Sequence, residues 1–240
     1  KNKGRMNLLN NFPFDQFKFN SNSIFKELPE DELELINAHV KTRLYKKKQV
    51  IFYEESLPNG VYYIKEGLVK KYKTGQDGKE KIFYISKTGD LLGYHALLSS
   101  EYYVESAAVM EDSVISFIPK DVFMSVLEKS PSLSGLLLKN ISHEFGVMIN
   151  NLTVIAQMSV RERLALNLLL LKEKFRDLNL SGERKDGIKI SRDDLASLVG
   201  TAKENLVRLL HELKEEKIIE TQGQSIFILK INELVKLSKF

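Results

Sequence analysis

Two rhythms of apolar and polar residues run along this chain, and the change between them divides it. From about residue 43 to 118, β-branched and aromatic residues come in short runs: QVIFYEE, GVYYIKEG, LVKKYK, EKIFYIS, YVESAAV and SVISFI. Turn signals separate them, namely LPNG, Gly67, GQDG and KTGD. Runs recurring roughly every 8–12 residues predict an all-β sandwich or barrel-like roll, although alternation within each run is imperfect. Helical spacing flanks this block. Leu33, Ile36 and Val40 behind Pro29 predict a short helix. Beyond Pro119 the pattern turns helical again, and Leu137, Ile141, Phe145, Met148, Leu152 and Ile155 follow one another at steps of four and three. That predicts a helix of roughly 20 residues with a narrow apolar seam. The seam could pack on its own domain or on a copy of itself. Its narrowness, and its polar flanks Ser142, Glu144, Asn150 and Asn151, favour the copy.

The C-terminal part carries the most specific pattern. SVRERLALNLLLLKEKF predicts a helix capped by Ser159 with Glu162 three residues on. LSGERKDG reads as a loop and IKIS as a short strand. In ISRDDLASLVGTAKENLVRLLHELKEE, Ser191 and Asp194 have capping-box spacing, Leu195, Leu198 and Val199 form one apolar face, and Gly200 ends the helix. Thr201 and Glu204 repeat the spacing, which predicts a second helix from Thr201 that buries Leu206, Leu210 and Leu213. Two apolar runs around TQGQS then predict a hairpin. A short helix, a tight turn, a longer helix and a hairpin make a winged helix-turn-helix. In that arrangement the first helix, starting at Ser191, crosses a phosphate backbone. The second offers Thr201, Glu204, Asn205 and Arg208 from one face, with Lys203 beside them, to base edges. Arg can bond guanine bidentately and Glu can accept from a cytosine amino group. The ordinary alternatives are that Glu204 is only a cap and that Glu204–Arg208 is only a surface pair.

Composition narrows the chemistry. The 240 residues, with hydrophobic residues at 43% and charged residues at 28%, suit two modest domains with real cores. The net charge of +4 permits a polyanionic partner. The absence of cysteine excludes disulfides, thiolate zinc sites and iron–sulfur clusters. No apolar stretch approaches the roughly 18 residues of a membrane span, and the N-terminus has no apolar signal region, so a cytoplasmic location is expected. No phosphate-binding G-x-x-x-x-G-K-[ST] loop, G-x-S-x-G elbow or His-x-His metal triad occurs, so no enzyme is expected.

With these motifs in place, the chain over roughly residues 25 to 232 resembles the cyclic-AMP receptor/fumarate-nitrate regulator superfamily of bacterial transcription factors. ISRDDLASLVGTAKENLVRLLHELKEEKIIETQGQSIFIL is similar to that family's helix-turn-helix and wing, and VYYIKEGLVKKY…GKEKIFYISKTGDLLGYHALL to its β-roll. The expected class is α+β. Residues 1–24 would be an arm and 25–130 a cyclic-nucleotide-binding-like β-roll (jelly roll). A dimerisation helix over 131–158 and a winged helix-turn-helix over 159–240 would follow. The resemblance implies a homodimer on a pseudo-palindromic duplex, with base reading by Lys203, Glu204 and Arg208. It also implies an effector bound in the β-roll, and RNA polymerase as a further partner.

The family's cyclic-AMP cassette, G-E-x-x-L with R-[ST]-A about ten residues on, holds a ribose hydroxyl with its Glu and a phosphate with its Arg and Ser/Thr. Here the stretch reads GYHALLSSEYYVESAAV. Gly93, Ala96, Leu97, Ser106 and Ala107 keep the shape. Tyr94 stands at the Glu position and Glu105 at the Arg position, with no basic residue in the cassette to replace the lost cation. Met148 and Ile149 fall where the family's base-binding hydroxyls would lie. Cyclic AMP is therefore not the expected effector, and a less anionic ligand, or none, is. A haem needs an axial ligand. Of His39, His95, His143 and His211, His95 and His143 are the candidates for one. Solvent-facing or hydrogen-bonded histidines are the preferred reading, with a haem-based gas sensor of the same family as an alternative. A regulatory ligand-binding module acting on a protein partner is the other.

Overall fold

The computed structural model describes residues 11–19, 24, 25, 28–178 and 187–239. The loop expected over LSGERKDG lies almost wholly outside them, as do residues 1–10 and 20–23 of the arm. The chain divides into two compact units, Phe19–Gly146 and Val147–Phe240, the latter together with the arm up to Lys18. Among the described residues, no helix is long and apolar enough to cross a membrane.

The first unit is built on two four-stranded antiparallel sheets. One orders β1 (Lys41–Tyr45), β8 (Ser113–Pro119), β3 (Gly60–Glu66) and β6 (Leu91–Leu92). The other orders β2 (Val50–Phe52), β7 (Ser106–Val109), β4 (Leu68–Thr74) and β5 (Glu80–Lys87). Ile64, Val69, Leu92, Ala107 and Ile115 are buried together within the roll. A second cluster packs α1 (Glu30–His39), α3 (Lys120–Lys129) and the start of the long helix α4 (Pro131–Gln157) through Ile36, Val61, Ile118, Phe123, Leu133 and Leu137. The imperfect alternation has a cause: the strand register shifts at Val50/Phe52, Ile64/Glu66 and Lys71/Tyr72. Each shift gives one strand an extra residue and re-aims its neighbours. At Lys71/Tyr72 the extra residue is Phe83 of β5.

Helix α4 starts where Ser130 Oγ accepts from the Leu133 N–H at 2.9 Å, and it extends to 27 residues. The predicted seam needs a correction. Leu137 is only 2% exposed and belongs to the core of its own unit, against which Ile141 also packs. The exposed apolar residues of α4 are Leu138, Phe145 (70%), Ile149, Leu152 (59%) and Ile155. The face left open is thus turned toward Leu138 and Ile149, because an intradomain core claims the side of the helix on which Leu137 lies.

In the second unit, α5 (Val160–Leu178) opens with the reciprocal capping box the spacing predicts. Ser159 N–H donates to Glu162 Oε2 at 2.7 Å, and Glu162 N–H to Ser159 Oγ at 3.3 Å. Buried Leu164, Leu168 and Leu171 of α5 share this unit with buried residues of α6 (Arg192–Val199), α7 (Lys203–Glu215) and α8 (Ile231–Leu237). The wing is the sheet β10 (Ile219–Gln222), β11 (Ser225–Ile228) and β9 (Ile188–Lys189). Helix α8 and the short α2 (Tyr94–Ser99) were not foreseen. The described part of the arm is packed: Phe12 and Phe17 are buried, and Asn150 Nδ2 donates to the Gln16 carbonyl at 3.0 Å.

Gly67, between β3 and β4, has φ +111°, and a Cβ there would lie 2.1 Å from Ser113 Oγ. Gly67→Ala should therefore destabilise the first unit by about 2 kcal/mol or more. Chemical denaturation monitored on a tyrosine-rich probe of this unit checks it, and an unchanged midpoint would contradict the packing described.

Candidate nucleic-acid interface and effector site

The reading head is assembled from local rules. Ser191 caps α6, accepting from the Asp194 N–H at 3.0 Å and donating to Asp194 Oδ2 at 2.6 Å. Its hydroxyl is therefore committed to the cap. Gly200 takes the left-handed conformation (φ 76°). Both Gly200 N–H and Thr201 N–H donate to the Ala196 carbonyl, at 2.9 and 3.1 Å, which closes a Schellman-type turn. This turn corrects one expectation: α7 does not begin at Thr201. Its N-cap is Ala202, without a side-chain cap, because the Thr201 backbone is spent on finishing α6. Arg163 of α5 completes the turn. Its Nε donates to the Val199 carbonyl at 2.8 Å, Nη2 to Gly200 at 3.0 Å and Nη1 to Met158 at 2.8 Å.

Leu206, Leu209, Leu210 and Leu213 bury one side of α7, leaving Lys203, Glu204, Val207 and Arg208 exposed. Asn205 Nδ2 donates to Thr201 Oγ1 at 2.8 Å, and Arg208 Nη2 donates to Asn205 Oδ1 at 2.8 Å. Arg208 Nη1 bonds Glu212. Lys203 pairs with Asp193 at 2.9 Å. Both ordinary explanations for Glu204 fail. It caps nothing, and Arg208 pairs with Glu212 instead, so among the described residues the Glu204 carboxylate is exposed and unpaired. Sequence reasoning missed Arg161, Arg163 and Glu212. Their signal, a basic residue on α5 and an acid four residues beyond Arg208, is too common to single out.

In the first unit, the cassette residues lie at a buried polar cluster. Tyr94 is 1% exposed, and its hydroxyl donates to Glu144 Oε1 at 2.6 Å. His95 Nε2 stands 2.8 Å from Glu144 Oε2, at ion-pair distance but without an aligned hydrogen bond, and its ring stacks on Tyr94. Burial pushes the Glu144 carboxyl up, but His95, Lys71 and the Tyr94 hydroxyl outweigh it and the net direction is down. Burial, then Glu144, drives the Tyr94 hydroxyl far above the ordinary phenol range. Glu105 is buried and pairs with Lys71 Nζ at 3.1 Å. The cation missing from the cassette thus comes from β4, where Lys71 lies two residues from buried Val69 and points to the same inner face. Ser106 Oγ accepts from the Glu54 N–H at 3.0 Å. Phe19, from the arm, stacks on Tyr84 with ring centroids 3.8 Å apart and donates its N–H to the Tyr84 hydroxyl at 2.8 Å. Lys71 Nζ lies 5.4 Å from the Phe19 ring. Met148 and Ile149 belong to the other unit, Met148 half-buried and Ile149 exposed.

These residues do not fit a cyclic nucleotide. A phosphate would meet the Glu105 carboxylate, and Lys71 beside it is already paired with that carboxylate. The His95 nitrogen Nε2 faces Glu144 and its ring is stacked on Tyr94, which suits a hydrogen-bonded histidine. Among the described residues, no group of three or more His, Asp or Glu side chains could hold a metal ion.

Comparison with known proteins bears on the two units of the fold. Residues 42–130 match the cyclic nucleotide-binding domain, and residues 162–237 match the Crp-like helix-turn-helix domain. The chain is 28% identical over 208 residues to the regulatory protein HlyX of Actinobacillus pleuropneumoniae, covering 86% of each chain. It is 25% identical over 212 residues to the fumarate and nitrate reduction regulatory protein of Escherichia coli, covering 88% of this chain and 84% of that one. Its fold matches that of FixK2 from Bradyrhizobium japonicum with a TM-score of 0.71 at 21% identity, over 82% of this chain and 96% of that one.

Two outcomes are expected of the polar cluster. Removing one partner of the buried Lys71–Glu105 pair, as in Glu105→Ala, should cost about 3–5 kcal/mol, whereas Lys71→Met with Glu105→Leu should be nearly neutral. Equal destabilisation by the single and double variants in urea titrations would contradict the pairing. Glu144 has a depressed folded-state pKa. Its stabilisation is therefore complete above the ordinary value of 4.5 and is lost as pH falls through the lower folded value. The stability advantage of the wild type over Glu144→Gln should shrink as pH falls below 4.5; thermal midpoints between neutral and acid pH measure it, and a constant difference would contradict the coupling.

Proposed function

The chain belongs to the cyclic-AMP receptor/fumarate-nitrate regulator superfamily of bacterial transcription regulators, with a helix-turn-helix DNA-binding domain, and on that premise we propose that it is a cytoplasmic, homodimeric regulator reading a pseudo-palindromic duplex site without cyclic AMP. The observation that carries the reading is the solvent face of α7. Among the described residues Glu204 is exposed and unpaired, and Asn205 and Arg208 beside it carry the donors and acceptors that discriminate base edges in the major groove. Two such heads need two chains. The exposed apolar face of α4, with Leu138, Phe145, Ile149 and Leu152, supports a second copy of the chain as the partner, because an apolar stripe of this length left in water is unfavourable.

The gating follows from the polar cluster. Lys71–Glu105 and Tyr94–Glu144 satisfy one another inside the chain, which supports an effector other than cyclic AMP, or none. Regulation of transcription would then come through RNA polymerase recruited or blocked at the bound site. Selection from a random duplex pool at one stated salt concentration, with and without cyclic AMP, tests the reading. A two-fold symmetric site enriched equally in both conditions is expected. Enrichment only with the nucleotide would overturn the gating, and enrichment of nothing would favour a regulator acting through a protein partner.

Two substitutions divide the reading. Arg208→Ala should cost about 1–3 kcal/mol of discrimination at one base pair while leaving the dimer intact; full retention of preference would contradict the reader assignment. Phe145→Lys should weaken self-association and, with it, affinity for the symmetric site. An unchanged dimer in sedimentation would contradict the α4 interface.

A further inference from the structure

We propose that Glu212, itself held by Arg161, is a positioning residue that fixes the Arg208 guanidinium for base reading. The inference rests on Arg208 being a reader, as argued above. It adds a residue that never touches the duplex bases.

The geometry is a continuous line of hydrogen bonds along one side of α7. Asn205 Nδ2 donates to Thr201 Oγ1 at 2.8 Å, Arg208 Nη2 to Asn205 Oδ1 at 2.8 Å, and Arg208 Nη1 to Glu212 Oε1. The line does not end on the helix. Arg161 of α5 donates from Nη1 to Glu212 Oε2 at 3.2 Å and from Nη2 to both Glu216 oxygens at 2.6 and 2.7 Å. A surface pair four residues apart ordinarily leaves both side chains free to swing. Here the carboxylate is fixed from a second helix, and Arg208 is gripped on both sides, by an amide oxygen and by a carboxylate.

The donor count shows what that grip leaves available. A guanidinium has five N–H donors in a rigid plane. Two are taken by Asn205 and Glu212, so three remain, and a bidentate contact to guanine O6 and N7 needs two. Arg208 is still well exposed, with its side chain at 63%. It can therefore present its free edge to a base without first being ordered, and ordering a long side chain on binding is a real cost. Glu212 also acts as a filter. A carboxylate one turn from the reader repels phosphates, so it lowers sequence-independent affinity while improving discrimination.

The test uses the full-length chain and a selected symmetric duplex. At each base pair the affinity ratio between that duplex and its single-pair variant is measured at one salt concentration. Arg208→Ala first identifies the pair it relaxes. Glu212→Ala should lower the ratio at that same pair by about tenfold and leave the others unchanged, while affinity for random duplex rises. Glu212→Gln, which keeps an acceptor, should restore most of the ratio. In the Arg208→Ala background, Glu212→Ala should have no further effect on it. Glu216→Ala, which removes another Arg161 partner without touching Arg208, controls for loosening of α7 against α5 and should leave the ratio in place. The proposal is overturned if Glu212→Ala raises all affinities with the ratio intact, since Glu212 then contributes charge alone. It is also overturned if Glu212→Ala and Glu216→Ala lower every ratio together, since the role is then structural. If Arg208→Ala relaxes no pair, the reader assignment itself fails, which is a different result from either.

Discussion

The reading head depends on finding donors for the carbonyls at the end of α6. A helix that stops and is followed at once by another leaves its last carbonyls facing inward, where an unsatisfied group costs about 1–3 kcal/mol. Gly200 solves part of the problem by turning left-handed, so that its own N–H and that of Thr201 both reach Ala196. Arg163 solves the rest, with its Nε and Nη2 on the Val199 and Gly200 carbonyls. The same guanidinium bonds Met158, one residue past the end of α4. One side chain therefore fixes the turn that sets the direction of α7 and ties it to the segment that follows α4. Lys cannot substitute for a planar fork that meets three carbonyls at once.

Local signals explain what was legible in the sequence. The capping pairs Ser191–Asp194 and Ser159–Glu162 each need only three residues of context, and both form as spaced. Gly200 likewise acts through its own backbone. The same rule failed at Thr201–Glu204 because its spacing competes with the end of the preceding helix for the Thr201 backbone, and the helix end wins. The roll was legible as a class from its turn signals. Its registers were not, because a bulge is invisible to alternation except as noise. Lys71 was missed for another reason: it reads as one more polar position of LVKKYK, yet it alternates in step with buried Val69 and pairs with Glu105. The seam on α4 was found but turned, since spacing alone cannot say which side of a helix its own domain will claim.

The cassette region keeps an outline while its side chains differ from the cyclic-AMP pattern. Gly93, Ala96 and Leu97 preserve the backbone shape, and Gly93 keeps a positive φ. The functional groups, however, now serve one another. Glu144 on α4 accepts from the Tyr94 hydroxyl and faces His95, Glu105 neutralises Lys71, and Phe19 of the arm stacks on Tyr84. Buried charges persist where they are paired, and Tyr94 and Glu105, at the Glu and Arg positions of the cassette, are each committed to a partner.

On this reading α7 recognises sequence without cyclic AMP. The most direct test is the ratio of dissociation constants for a selected symmetric duplex and a random duplex of equal length. Both are measured with full-length protein at one salt concentration near physiological, in the absence of nucleotide. Base reading by α7 requires a ratio of at least about a thousandfold. A ratio near one, with both affinities falling steeply and equally as salt rises, would mean that the chain binds duplexes only through charge, and would contradict it.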